Sequence, residues 1–269
     1  MGEILVDRRA DTRSRFAQLR DELAPAENAL EEKACVYATG SFGREEASRH
    51  SDLDLFIVGR GTRDARELLP LTEVCLKADL IRATRKFEIP DFDGDGEYLA
   101  HHSEQEIVGN LGKRQDDAEN TFTARLLLLL ESKPLLGGST YQTIIEKVVN
   151  RYWIDYEKHK ADFRPAFLAN DILRLWRTFC VNYEAHTRTE PERDRAKRRL
   201  KNYKLKHSRL LTCYSGLLYL LAVHVEKDTV APDAAREMVR LTPTERLEAL
   251  LQNDRFLTAR ETIKKLLDH

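Results

Sequence analysis

Two short β-prone runs, Ala34-Cys35-Val36-Tyr37-Ala38-Thr39 and Leu53-Asp54-Leu55-Phe56-Ile57-Val58, are stopped by Gly40 and Gly59. Only residues 40–52 lie between them, with room for a helical turn or two, so the strands stay within reach of each other in one sheet. The chain leaves the first strand through Gly40-Ser41-Phe42-Gly43-Arg44 and enters the second through Asp52-Leu53-Asp54. Side chains at i and i+2 of a strand share a face. The Asp52 and Asp54 carboxylates therefore point one way, while Leu53 and Leu55 point into a core.

Each half of this pattern is weak alone, since an Asp-x-Asp on a strand is more often a solvated face. Together they are stronger. A small-residue turn leaving a strand can cradle phosphate oxygens with its amides and the Ser41 hydroxyl. Converging carboxylates are what divalent ions require in phosphoryl and nucleotidyl transfer. Arg44 has two readings, neutralising a triphosphate or pairing with Glu45 or Glu46, and it is assigned here to phosphate.

Around these strands the spacing predicts mostly helix. Residues 8–33 carry Phe16, Leu19 and Leu23 at helical spacing and break at Pro25. A helix is expected from about Arg63 to Lys86, with Leu68, Leu69, Leu71, Val74, Cys75 and Ala78 as its apolar stripe and Pro70 as a kink or a new start. Residues 90–96 compose a turn, and Glu97 to His102 can form a third strand. From Asp116 onward helices are expected at Thr121–Glu131, Tyr141–His159, Phe167–Glu184 and Arg195–Val225. Two shorter ones follow, with a capping box at Thr242-Pro243-Thr244-Glu245.

At 269 residues the chain exceeds what one core usually serves, roughly 250. Two domains follow: 1–135, holding the strands, and 136–269, all helical. The fold class is α+β, a small mixed sheet followed by a helical domain.

A net charge of −1 excludes a protein that coats nucleic acid by bulk charge, so anion binding must be local. The strongest local asymmetry is Arg193 to Arg209, where Lys197, Lys201 and Lys204, with Lys206 beside them, share a broad helical face near Tyr203. That face suits a triphosphate, an RNA backbone or water alone. Cys35, Cys75, Cys180 and Cys213 show no metal-ligand spacing and read as buried thiols of a reducing cytosol. No signal peptide is evident at the start. Leu210 to Val225, the longest uncharged stretch, reads as a buried helix and not a membrane span. A cytoplasmic protein is the expectation.

Thr39-Gly40-Ser41-Phe42-Gly43-Arg44-Glu45 and Ser51-Asp52-Leu53-Asp54-Leu55 closely resemble the motif of the DNA polymerase β nucleotidyltransferase superfamily. Within it the chain is most similar to the branch of PII uridylyltransferases and related bacterial enzymes, which also carry Gly-Arg-x-Glu and Ser-Asp-x-Asp-Leu. Thr121 to Arg125 followed by Leu135-Leu136-Gly137-Gly138 looks like that branch's exit helix. The resemblance implies an NTP substrate, Mg²⁺ or Mn²⁺, and transfer of an NMP to a hydroxyl acceptor, whether protein, RNA, nucleotide or small molecule.

By the same resemblance Asp52 and Asp54 hold the metals, and a third carboxylate from a later strand, Asp95 or Glu97, completes the site, with Asp95 preferred. Asp91, Asp93 and Asp95 also read as plain turn residues. With Gly96 they match the start of an EF-hand loop, whose closing Glu is replaced by His102. Gly40, Ser41 and Arg44 are expected to bind phosphate, and Lys204, Lys206, Ser208 and Arg209 to contact the nucleotide from the helical domain. The alternative is a catalytically degenerate module that senses nucleotide or binds a partner. Oligomeric state is left open.

Overall fold

The computed structural model describes residues 3–92, 99–187, 194–253 and 258–268. The chain packs as two compact units, residues 1–151 with 264–269, and residues 152–263.

In the first unit, α1 (Glu3–Glu22) and α2 (Ala24–Leu30) are separated at Pro25, which sits in the first turn of α2 where its missing N–H costs nothing. β1 (Ala34–Ala38), α3 (Gly40–Gly43) and β2 (Leu55–Gly59) follow. Next come α4 (Pro70–Lys86), β3 (His101–Ser103), α5 (Glu104–Gly109) and α6 (Gln115–Ala118). The unit continues through α7 (Thr121–Glu131), β4 (Lys133–Leu136) and most of α8 (Gly138–Tyr152). The sheet order is β3-β2-β1-β4. β1 is antiparallel to both β2 and β4, while β3 runs parallel to β2, so the sheet is mixed as expected.

Strand alternation sorts the faces. Val36, Ala38, Leu53, Leu55 and Ile57 join one core with Phe16, Leu19, Leu23 and Leu30 from α1 and α2 and with Leu76 and Leu80 from α4. On the other face Tyr37 stacks on Phe56, ring centroids 5.4 Å apart. The Tyr37 hydroxyl donates to the Ala124 carbonyl of α7 at 3.0 Å. α7 is buried on all sides, including the consecutive residues Leu126 to Leu130, which is why it shows no polar face.

Several elements differ from the sequence expectation. The third strand, expected over Glu97 to His102, is β3 at His101–Ser103, with Leu99 and Ala100 outside it. α4 starts at Pro70, the new start the sequence allowed, rather than near Arg63, and of the expected stripe Leu68 is buried and Ala78 half-buried, while Leu69, Leu71, Val74 and Cys75 are exposed; Leu76, Leu80 and Ala83 face the core with Leu68. β4 was not expected, because four residues containing a proline carry little strand signal. Pro134 is tolerated there because β4 is an edge strand. α8, expected to begin at Tyr141, begins at Gly138 and packs Tyr141 against Tyr37, 6.1 Å between ring centroids.

The second unit contains α9 (Ala166–Thr187), α10 (Arg195–Lys204), a π-helical turn (Leu205–Arg209) and α11 (Leu210–Lys227). α12 (Pro232–Arg240) and α13 (Pro243–Leu251) follow, and α14 (Arg260–Asp268) spans the end of this unit. The capping box at Thr242 and Glu245 forms as expected. The continuous run Arg195–Lys227 is long and apolar enough to cross a membrane by length and composition alone. Its apolar half, α11, packs on α9, α12 and α13 and buries Thr212, Cys213 and Ser215. The helix is only partly buried, since Leu218, Leu221 and Val225 are exposed. Of the four cysteines, Cys35 and Cys213 are buried as expected, Cys180 is half-buried and Cys75 is exposed.

Candidate functional site

The Thr39 N–H donates to the Asp54 carbonyl at 2.9 Å, extending the β1–β2 ladder by one residue and setting the turn after β1 beside the approach to β2. Gly40 follows with φ +63, a conformation that favours glycine. A Cβ at Gly40 would run into the Asp54 carboxylate, so that carboxylate lies directly against the turn. Gly43 is confined in the same way, since its Cβ would overlap the Glu131 carbonyl and come within 2.8 Å of the Ala38 carbonyl oxygen. Phe42 is fully buried and anchors the turn in the core, leaving Ser41 half-exposed. Leu53 and Leu55 are buried, while Asp54 is half-buried and Asp52 exposed; contrary to the sequence expectation, β2 begins only at Leu55, so both acids lie in the segment leading into the strand.

Glu131, the last residue of α7, braces this turn from behind. Its carboxylate is enclosed and accepts from the Gly40 N–H at 3.1 Å and from Arg44 Nη1 at 2.7 Å. Arg44 Nε donates to Glu46 at 3.0 Å. Burial opposes the Arg44 charge, yet Glu131 and Glu46 outweigh it and lift the guanidinium above its usual pKa. Of the two readings left open for Arg44, the structure supplies carboxylate partners, one of them unforeseen, and leaves the side chain 8% exposed. The signal for Glu131 was an acid directly following the run Leu126 to Leu130 at the end of a helix.

Residues 18–117 match the family of nucleotidyltransferase domains. The matched span contains Gly40, Ser41, Arg44, Asp52 and Asp54, together with Asp95 and Glu97, and ends before Glu131. No curated protein and no solved structure matches the chain.

Within the matched span the oxygen donors of Asp52 and Asp54 are of the kind that fits a hard divalent cation, and the Asp54 carboxylate lies beside the glycine turn. Asp95 and Glu97 lie outside the described residues. No group of three metal-ligating side chains occurs among the described residues. The adjacent pair His101 and His102 is buried in different surroundings. His101 Nδ1 lies 3.0 Å from Glu73, and the His102 ring packs 6.0 Å from that of Phe56. Burial lowers the pKa of both.

The expected helical-side contacts belong to the other compact unit. Lys204 ends α10 and is exposed, as is Lys206 in the π-helical turn. Ser208 and Arg209 are half-buried; the Ser208 carbonyl accepts from the Thr212 hydroxyl at 3.0 Å, and the Arg209 guanidinium lies 4.9 Å over the Phe179 ring. Gly40, Ser41, Arg44, Asp52 and Asp54 thus gather at one end of the sheet, and these four gather on one helical segment.

Proposed function

We propose that the chain transfers a nucleoside monophosphate from an NTP to a hydroxyl acceptor at the end of the sheet where Gly40 meets Asp54. The observation that carries this reading is the Asp54 carboxylate packed against the Gly40 α-carbon, which makes a phosphate cradle and a metal-ready acid contiguous. Asp52 and Asp54 would hold Mg²⁺ or Mn²⁺, which when bound supplies neutralisation of the triphosphate charge. Asp95 or Glu97 would complete the set. These acids precede β3, and the parallel pairing of β3 with β2 makes the chain enter both strands from the same end of the sheet.

In this reaction the acceptor oxygen attacks the α-phosphorus, the bond to the bridging oxygen breaks, pyrophosphate leaves, and the acceptor proton passes to the third carboxylate. Ser41 holds phosphate oxygens, and Gly40, whose N–H is taken by the Glu131 carboxylate, gives the turn its left-handed bend. Arg44, tied to Glu131 and Glu46, serves by keeping the turn in shape. Lys204, Lys206, Ser208 and Arg209 contact the nucleotide from the helical unit. Within the superfamily, the Gly43-Arg44-Glu45-Glu46 and Ser51-Asp52-Leu53-Asp54-Leu55 segments favour the PII-uridylyltransferase branch and a cytoplasmic bacterial setting, and the net charge of −1 makes a long nucleic-acid template a less suitable acceptor than a protein or small molecule.

The test is incubation with each α-³²P-labelled NTP and Mg²⁺ or Mn²⁺, with and without lysate, beside the Asp52→Ala/Asp54→Ala double variant. Label moving to protein, RNA or a new small species only with intact carboxylates supports transfer and reveals the acceptor class. Nucleotide binding with no transfer under any condition would point to a sensing module instead.

A further inference from the structure

Asp52 and Asp54 lie in residues 44–54, which form neither helix nor strand, so neither acid sits within a strand of the sheet. The far end of this segment is tied to the strand end of β1, where the Thr39 N–H donates to the Asp54 carbonyl. Its middle is tied to α1. The fully buried Thr12 hydroxyl donates to the Arg8 carbonyl of its own helix at 2.7 Å, which leaves its lone pairs to accept from the Ala47 N–H at 2.9 Å. Three residues on, and so on the same side of the helix, Arg15 Nη1 donates to the Ser48 carbonyl at 2.8 Å, with its guanidinium 4.8 Å over the Phe42 ring. Ser48 passes the tie onward. Its carbonyl also accepts from the Ser51 N–H at 3.0 Å, and its own N–H donates to the Ser51 hydroxyl at 2.9 Å. Ser51 directly precedes Asp52.

We propose, resting on the transferase reading, that Thr12 and Arg15 are positioning residues for the transfer: acting through Ala47, Ser48 and Ser51, they set where the Asp52 carboxylate stands relative to that of Asp54. A divalent ion needs its ligands held within about 0.5 Å, and an exposed acid on an irregular segment takes that precision from the bonds that fasten its backbone. Thr12 and Arg15 both precede residues 18–117, so the match to nucleotidyltransferase domains does not include them. The clasp has a chemical signature. The part played by Thr12 belongs to its hydroxyl, which serine keeps and the equally shaped valine loses, whereas plain packing of α1 on the core would follow side-chain bulk.

The test titrates the full chain with Mn²⁺, following the free ion by electron paramagnetic resonance, and measures amide hydrogen exchange of the same proteins. Thr12→Val and Arg15→Ala, checked for fold by circular dichroism, should each weaken Mn²⁺ binding about tenfold, the low end of what partners behind a metal ligand contribute. Thr12→Ser should bind as the wild type does. Exchange over residues 44–54 should quicken about tenfold in Thr12→Val while β1 and α7 exchange as before. Arg15→Ala, at a half-exposed position, keeps the test open should Thr12→Val fail to fold. Wild-type Mn²⁺ affinity in the folded variants, unchanged exchange over 44–54, or a Thr12→Ser protein as weak as Thr12→Val would each overturn the proposal. Mn²⁺ binding that is indifferent to Asp52→Ala/Asp54→Ala would instead overturn the transferase reading, and the positioning role with it.

Discussion

The glycine turn at 40–44 and the basic segment at 195–209 are both expected to meet a nucleotide, and they are built in opposite ways. In the turn, carbonyls and carboxylates close in on glycine α-carbons, and a fully buried carboxylate holds the loop by two hydrogen bonds. In the basic segment Tyr203, Lys204 and Lys206 extend into solvent. A site of the first kind fixes geometry, and altering it changes stability and chemistry together. A site of the second kind supplies charge on flexible stems, and altering it changes affinity alone.

The sharpest way to break this comparison is Glu131→Ala. It leaves the buried Arg44 charge to Glu46 alone and the Gly40 N–H without its acceptor, and losing one partner of a buried pair costs about 3–5 kcal/mol, read as a drop in urea midpoint. A loss under about 1 kcal/mol, the scale of a surface pair, would show that the brace is ornamental. Gly40→Ala comes next. Left-handed backbone costs a non-glycine residue about 1–2 kcal/mol, and the displaced Asp54 carboxylate should cost activity beyond the loss of fold. Unchanged turnover in that variant would contradict the contiguity of turn and carboxylate.

A smaller effect follows from β3. Burial, with help from neighbouring His101, holds the His102 ring below the ordinary histidine pKa of 6.5 against the pull of Glu106. The unfolded chain therefore binds the proton more readily. Stability is complete above about pH 6.5 and falls as pH drops below it. Urea unfolding at pH 7.5 and 5.5 should show a smaller loss in His102→Gln than in the wild type, and identical losses would remove His102 from the account. Lys204→Ala and Lys206→Ala should do least. Stability should stay within about 0.5 kcal/mol, KM for NTP should rise a few-fold, and kcat should not change.

What the sequence disclosed follows the same division. The glycine turn was legible because it rests on a short-range rule, which residue tolerates a left-handed turn; the Asp52–Asp54 pair was legible as a motif, although both acids precede β2 instead of sharing its face. Glu131 was not, because its partner Gly40 is 91 residues away and no local pattern links them. The stripe of α4 was misread because Leu69, Leu71 and Val74 are as apolar as Leu76, Leu80 and Ala83, and only packing chooses between them. β4 escaped notice because its strand pairing comes from β1 and not from its own four residues. The basic segment was plain as charge, but solvated charge does not name its ligand.

The most direct test of the central claim is the single-turnover rate of NMP transfer in Asp54→Ala beside the wild type, with fold verified by circular dichroism. Removing the carboxylate that packs against Gly40 should lower the rate about a thousandfold, equivalent to about 4 kcal/mol of transition-state stabilisation. A folded Asp54→Ala protein that transfers at near wild-type rate would place the chemistry elsewhere in the molecule.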